Sequence, residues 1–350
     1  MRSAGFSKIR TLIVGVAAAV ATFSMVAPAA AQDRYAAIVM DARTNEVLLE
    51  DQADAHRYPA SLTKMMTLYM IFEALERGEI TLDTRLTASR NASRQPPSRL
   101  GLRRNDTITV EQAISALIVQ SANDVATMVG ERLGGTEARF AAAMTARARE
   151  LGMTETRFAN ASGLPDNRHA TTARDMAILS QALWRDYPEH YHRFQTPSFA
   201  WRRGAGRNHN RLLGQVEGVD GIKTGYTRAS GFNLATMAER NGRRVIVVVL
   251  GGETAAARDA QVAYLVEGAY QEYARREDPN AAQFASLPMR RLDVGLAPGA
   301  LALTSASPTP LPPSQYGMGS VVETLSPVRA PLDTVSQGDQ AEDGSTEEGE

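Results

Sequence analysis

Three short clusters carry side chains able to do covalent chemistry. Ser61-Leu62-Thr63-Lys64 sets a hydroxyl and an amine three residues apart, just after Pro59 and at the head of an apolar run with helical spacing. On a helix, that spacing puts both side chains on one face. The helix N-terminus adds positive potential near the serine oxygen. A lysine held in a pocket near other cations gives up its proton and serves as base to such a serine. Ser121-Ala122-Asn123 sits at a break between two apolar helical stretches. There a hydroxyl can relay a proton, and an amide can position a lysine or a substrate carbonyl. Gly221-Ile222-Lys223-Thr224-Gly225-Tyr226 reads as a strand. Lys223 and Thr224 suit a carboxylate, and Gly225 lets a substrate backbone approach closely. Taken singly, each cluster also has an ordinary structural reading. These are a capping serine beside an exposed lysine, an N-cap for the helix near Asp124, and a solvated strand edge.

The elements that must position these clusters follow from the hydrophobic pattern. Residues 36–40 and 46–49 flank a polar turn and predict a hairpin. Helical spacing predicts helices over 61–77, 109–119, 124–133, 140–151 and 171–184, the last opened by the capping candidates Thr171 and Thr172. After Gly218 the pattern turns to strands over 221–226, 232–239 and 244–250, the last two joined by Asn241-Gly242, and a closing helix covers 254–274. Strands at both ends with helices between suit an antiparallel sheet with a helical insert.

The three clusters, in this order, lie 60 residues apart from Ser61 to Ser121 and 102 apart from Ser121 to Lys223. Together they resemble the penicillin-recognising serine enzymes, whose motif set is SxxK, SDN and KTG, with SAN here in place of SDN. The segments 58–64, 158–165 (FANASGLP), 169–176 (HATTARDM) and 218–225 (GVDGIKTG) narrow the likeness to the low-molecular-mass D-alanyl-D-alanine carboxypeptidases, peptidase family S11, over about residues 35–275. The resemblance implies an α/β chain of the α+β type. Its fold would be β-lactamase/DD-peptidase-like, a five-stranded antiparallel sheet flanked by helices plus an all-helical subdomain. The cleft would lie between the two parts.

The resemblance also implies roles. Ser61 would attack the carbonyl between two terminal D-alanines, with Lys64 as its base. Ser121 would pass a proton toward the leaving amine, and Asn123 would order Lys64 and the substrate backbone. Lys223, Thr224, Gly225 and Tyr226 would bind substrate, with the backbone N–H groups of Ser61 and Tyr226 as oxyanion hole. Arg258, 35 residues past Lys223, would be a second carboxylate anchor. The implied partners are peptidoglycan stem peptides as substrate and β-lactams as covalent inhibitors. No cofactor and no metal are expected. Three other readings share parts of the pattern: a D,D-endopeptidase of wall cross-links, a serine β-lactamase, and a non-catalytic wall-binding or penicillin-sensing module. The β-lactamase needs a glutamate in the loop before the KTG strand, and residues 162–175 contain none.

Composition sharpens this picture. The chain has 350 residues and no cysteine, which excludes thiol nucleophiles, disulfide scaffolds and cysteine-ligated metals. A net charge of -1 gives no basic face for nucleic acid. Residues 1–31 read as a cleaved Sec-type signal peptide: Arg2, Lys8 and Arg10, then an uncharged apolar run, then Ala29-Ala30-Ala31. That predicts a periplasmic protein with a catalytic domain over 32–278. Residues 279–350, with seven of the chain's 16 prolines between Pro298 and Pro331, end in a stretch with seven acids and no base from Asp333 on, and read as linker and acidic tail. Such a tail would be repelled by an anionic membrane surface, so no stable membrane anchor is expected after signal cleavage. His190-Tyr191-His192 lacks a suitably spaced third ligand and reads as surface. The 38 basic residues comprise 35 arginines and only Lys8, Lys64 and Lys223. Past the signal, the only lysines are the two the motifs name. A guanidinium stays protonated, so arginine cannot replace a base that must lose its charge.

Overall fold

The computed structural model describes residues 34–202 and 204–277. The signal peptide and tail expected from the sequence lie outside these residues. Five strands form one antiparallel sheet in the order β2-β1-β9-β8-β7: β1 (Ala36–Asp41), β2 (Val47–Asp51), β7 (Val219–Thr227), β8 (Gly231–Arg240) and β9 (Arg243–Gly252). The first hairpin therefore closes against the last, with Ala36 opposite Leu250 and Asp41 opposite Val245. Asn241 and Gly242 both take positive φ and make the two-residue turn between Arg240 and Arg243.

The strand β9 is apolar without alternation because both sheet faces are covered. Ile246, Val248 and Leu250 join Ile38 and Met40 in one core with α5 (Ala173–Asp186). Val245, Val247 and Val249 join Ala37 and Val39 in a second core with α7 (Ala255–Glu277), through Val262, Leu265 and Val266. Side chains alternate between faces along a strand, so each face receives every other residue.

The remaining helices pack into the first core. They are α1 (Thr63–Glu76), α2 (Val110–Ser115), α3 (Asn123–Gly134), α4 (Glu137–Glu150) and the short α6 (Pro188–Tyr191). Two short ribbons, absent from the hydrophobic pattern, accompany them: β3 (Arg85–Thr87) with β4 (Thr107–Thr109), and β5 (Ser198–Trp201) with β6 (Gly204–Arg207). A capping box of Thr109 and Gln112 starts α2, and Thr172 caps α5 through the Asp175 N–H. Among the described residues no helix is long and apolar enough to cross a membrane.

Candidate active site

Three backbone features bring the site together. Ser61 lies in a 3₁₀ turn, Ala60–Leu62, that feeds directly into α1. The helix predicted over 109–119 begins as α2 but ends in a π-helical turn, Ala116–Gln120, stopped by Ser121 in the left-handed region at φ 55°. Edge strand β7 pairs with β8 on one side and runs against the Ser61 turn on the other. A Cβ added at Gly225 would meet the Ser61 amide nitrogen at 3.0 Å. A glycine is therefore needed for this approach.

Neither lysine is a surface residue. Lys64 is 0% exposed and Lys223 1%. Lys64 Nζ lies 3.1 Å from Ser61 Oγ, 2.8 Å from Asn123 Oδ1 and 2.6 Å from the Ser162 carbonyl oxygen. The Asn123 amide has a fixed orientation, because its Nδ2 donates to the Pro96 carbonyl at 2.9 Å. A neutral amine has two N–H donors and one lone pair. Asn123 Oδ1 and the Ser162 carbonyl can only accept, so they take both N–H groups. The lone pair is left for the Ser61 hydroxyl. Asn123 is not the cap of α3; Ala122 holds that position without a side-chain bond, which frees Asn123 for Lys64.

Electrostatics push the same way. Lys64 sits well below the ordinary lysine pKa, first because it is buried and then because Lys223 is near, while Asp124 opposes the shift. Lys223 is pushed down to about 7 by burial and by Arg258. Its Nζ donates to the Thr224 carbonyl at 2.9 Å. His209, which the motifs did not single out, is lowered to about 4 by burial and then by Lys223, Lys64 and Arg258, so it is neutral near pH 7.

Ser61, Ser121, Asn123, Thr224, Gly225, Tyr226 and Arg258 all line one cleft of about 380 Å³. Pro97 and Ser98 form part of its wall, with His209 and Arg211 on the same lining. Tyr226 is 55% exposed and stacks near Phe232. Arg258 donates to the Asn233 carbonyl and to Asp259. Asn233 in turn donates to the carbonyls of Tyr58 and Pro59, so one asparagine on β8 ties the nucleophile turn to the arginine. Its importance rests on long-range contacts that no local motif encodes. Asp124 accepts from the N–H groups of Leu100, Gly101 and Leu102 and holds the loop that walls the cleft. His190 stacks on Phe72 at 4.8 Å, and among the described residues no three His, Asp or Glu side chains gather as a metal site requires.

The Ser121 hydroxyl is buried, lines the cleft and has no hydrogen-bond partner. A non-glycine residue at positive φ costs energy and persists where the surroundings impose it. Ser121→Gly removes the hydroxyl and relieves that strain. The melting temperature should hold or rise while the acylation rate falls about a hundredfold. A variant that is both less stable and fully active would contradict this reading.

The sequence profile of the D-alanyl-D-alanine carboxypeptidase family, peptidase S11, matches residues 23–254. The chain belongs to this family. Similar curated members are the D-alanyl-D-alanine carboxypeptidase DacF of Bacillus subtilis, 32% identical over 69% of this chain and 64% of its own length, and DacC of Escherichia coli, 35% identical over 70% and 65%. The chain thus spans somewhat less than two thirds of these S11 relatives. Penicillin binding protein 5 of Haemophilus influenzae has a similar solved structure, with TM-score 0.65 and 31% identity over 67% of this chain and 70% of that one. Penicillin-binding protein D2 of Listeria monocytogenes, solved in its ampicillin-bound form, matches with TM-score 0.61 and 35% identity over 66% of this chain and 95% of that one. The fold implied by the S11 motifs is the fold observed.

Proposed function

We propose that the chain is a serine-type D-alanyl-D-alanine carboxypeptidase that trims the terminal D-alanine from peptidoglycan stem pentapeptides. One observation carries this reading: the buried Lys64 amine, whose two N–H groups are taken by Asn123 and Ser162 and whose lone pair is left for Ser61. Lys64 takes the Ser61 proton, and Ser61 Oγ bonds to the carbonyl carbon of the penultimate D-alanine. The backbone N–H groups of Ser61 and Tyr226 hold the oxyanion. The C–N bond breaks as Ser121 hands the proton from Lys64 to the leaving amine. Water, deprotonated by the same lysine, then cleaves the ester and releases the shortened peptide. The cationic end of the cleft, lined by Thr224 and Arg258 with Lys223 buried near Arg258, receives the terminal carboxylate. A β-lactam presents the same carbonyl and carboxylate, and the ampicillin-bound Listeria relative supports acylation of Ser61 by such drugs. Exported by residues 1–31, the domain 32–278 would work in the periplasm without a stable membrane anchor.

Purified 32–278 should release D-alanine from a pentapeptide ending in D-Ala-D-Ala, as read by an amino-acid assay. Release of cross-linked dimers into monomers without D-alanine would instead assign a D,D-endopeptidase.

The pH dependence has a definite sign. Lys64 must be neutral, and its proton is held less tightly than in free lysine, so kcat/KM rises with pH on the acid side. Lys223 must be charged, and its pKa near 7 makes kcat/KM fall above that pH. The two limbs belong to the coupled pair. Lys223→Arg keeps its charge throughout, so the alkaline limb should vanish while the acid limb stays. An alkaline limb that does not move would refute the role given to Lys223.

A further inference from the structure

The chain's net charge of -1 conceals a local excess of positive charge beside the cleft. Residues 89–105 hold five arginines, Arg90, Arg94, Arg99, Arg103 and Arg104, and no acidic residue. All five are exposed. The loop is closed at its neck, next to the paired strands β3 and β4. There the Ala88 N–H donates to the Asp106 carbonyl at 2.8 Å, and the Asn105 N–H donates to the Ala88 carbonyl at 2.9 Å. Like charges confined to one closed loop repel each other, so the arrangement does not serve the loop's own stability.

Little within the domain neutralises these charges. Arg99 donates to the Gln95 carbonyl at 3.0 Å. The acid that follows the loop, Asp106, accepts from Arg202 and from the Arg103 backbone N–H. Glu131 of α3 reaches the loop but is bonded to Asn91 at 3.1 Å. Among the described residues, Arg90, Arg94 and Arg104 have no ion pair and no side-chain hydrogen bond.

The catalytic side fixes where the loop stands. Asn123 donates from Nδ2 to the Pro96 carbonyl at 2.9 Å and from its backbone N–H to the Ser98 carbonyl at 2.7 Å. Asp124 holds the next three residues, and Pro97 and Ser98 wall the cleft. Arg94 and Arg99 thus flank the wall residues in sequence. We propose that this arginine-rich loop is a docking rim for the wall polymer: it holds a glycan strand through the row of carboxylates on its stem peptides and so delivers stems to Ser61. The inference rests on the carboxypeptidase reading and names the polymeric form of the substrate that the site takes. Each stem ends in a free carboxylate, so a strand bearing many stems presents repeated anions to a repeated cation. A bilayer lying on the same arginines would cover the mouth that the peptide must enter.

The test uses uncross-linked glycan strands bearing pentapeptides, with a free peptide ending in D-Ala-D-Ala as reference. It compares the native chain with the triple variant Arg90→Glu, Arg94→Glu, Arg104→Glu, whose fold is checked by circular dichroism. For the native chain, kcat/KM on strands should fall at least about tenfold between about 50 and about 200 mM salt, as screening weakens the attraction. At the lower salt the variant should be at least about tenfold slower on strands and nearly insensitive to salt, while its rate on the free peptide stays within about twofold. A variant that keeps the native strand rate, or that slows strand and peptide alike, would overturn the proposal. So would a variant whose only loss is binding to phosphatidylglycerol vesicles, which would assign the arginines to a membrane surface. If the native chain releases D-alanine from neither substrate, the carboxypeptidase reading fails by itself. Co-sedimentation of both chains with insoluble wall then decides the rim: binding lost in the variant supports it, and equal binding sinks it.

Discussion

A Lys64→Arg chain should fold and yet be acylated by penicillin about a thousandfold more slowly than the native chain. The charge is conserved, so a merely electrostatic role would tolerate the exchange. The geometry leaves no such tolerance. Lys64 is useful because burial and the nearby Lys223 make its protonated form costly. Guanidinium keeps its proton at every pH where the fold survives, so it has no lone pair to offer Ser61. It also brings a planar group into a fully buried site sized for an amine. Overpacking of that kind costs about 1–3 kcal/mol, which lowers the melting temperature without unfolding a domain of this size. Circular dichroism separates the two effects. Lys64→Met, nearly isosteric and uncharged, should lose acylation equally. An arginine variant within about tenfold of native would mean that another group is the base.

Gly163→Ala should damage both stability and acylation through a single methyl group. Gly163 has φ 81°, and a Cβ there would lie 1.8 Å from the Ala60 carbonyl oxygen and 2.9 Å from Thr63 Oγ1. Ala60 belongs to the turn that carries Ser61 and Thr63 opens α1 directly after it, and the preceding residue, Ser162, supplies the carbonyl that binds Lys64. The loop and the turn cannot both keep their places. A loss of about 4 kcal/mol is expected, together with at least a hundredfold fall in acylation rate (about 3 kcal/mol of barrier). Gly152→Ala is the control. Its φ is 92°, but nothing lies within 4 Å of the added methyl. It should cost only the left-handed penalty of about 1–2 kcal/mol and leave activity intact. Thermal melts and acylation rates on the two variants check this. Equal destabilisation would show that conformation alone, and not the packing of loop on turn, explains Gly163.

Much of this arrangement is legible in the sequence, and the reasons are local. Strand β9 is an apolar run joined to β8 by the Asn241-Gly242 turn, β7 carries the Lys223-Thr224-Gly225 cluster, and α5 carries its own cap. The motif residues lie close to one another in sequence within each cluster, and the shortage of lysine makes Lys64 and Lys223 stand out. What escaped the sequence acts through the backbone or over long range. The Ser162 oxygen that binds Lys64 is a main-chain atom and leaves no side-chain signature. Asn233 matters only because β8 passes beside the Ser61 turn. The ribbons β3–β4 and β5–β6 are three or four residues per strand, too short for alternation to register. Ser121 looked like part of a cap; its left-handed backbone and the π-helical turn before it emerge only once α2 packs.

The central claim is that Ser61, activated by Lys64, is the atom that bonds to the substrate carbonyl. Incubating the folded chain with benzylpenicillin and mapping the adduct by peptide mass spectrometry tests it most directly. The account predicts one penicilloyl group per chain, carried by the peptide containing Ser61, and none on Ser61→Ala. An adduct on any other residue, or one that survives in Ser61→Ala, would contradict it.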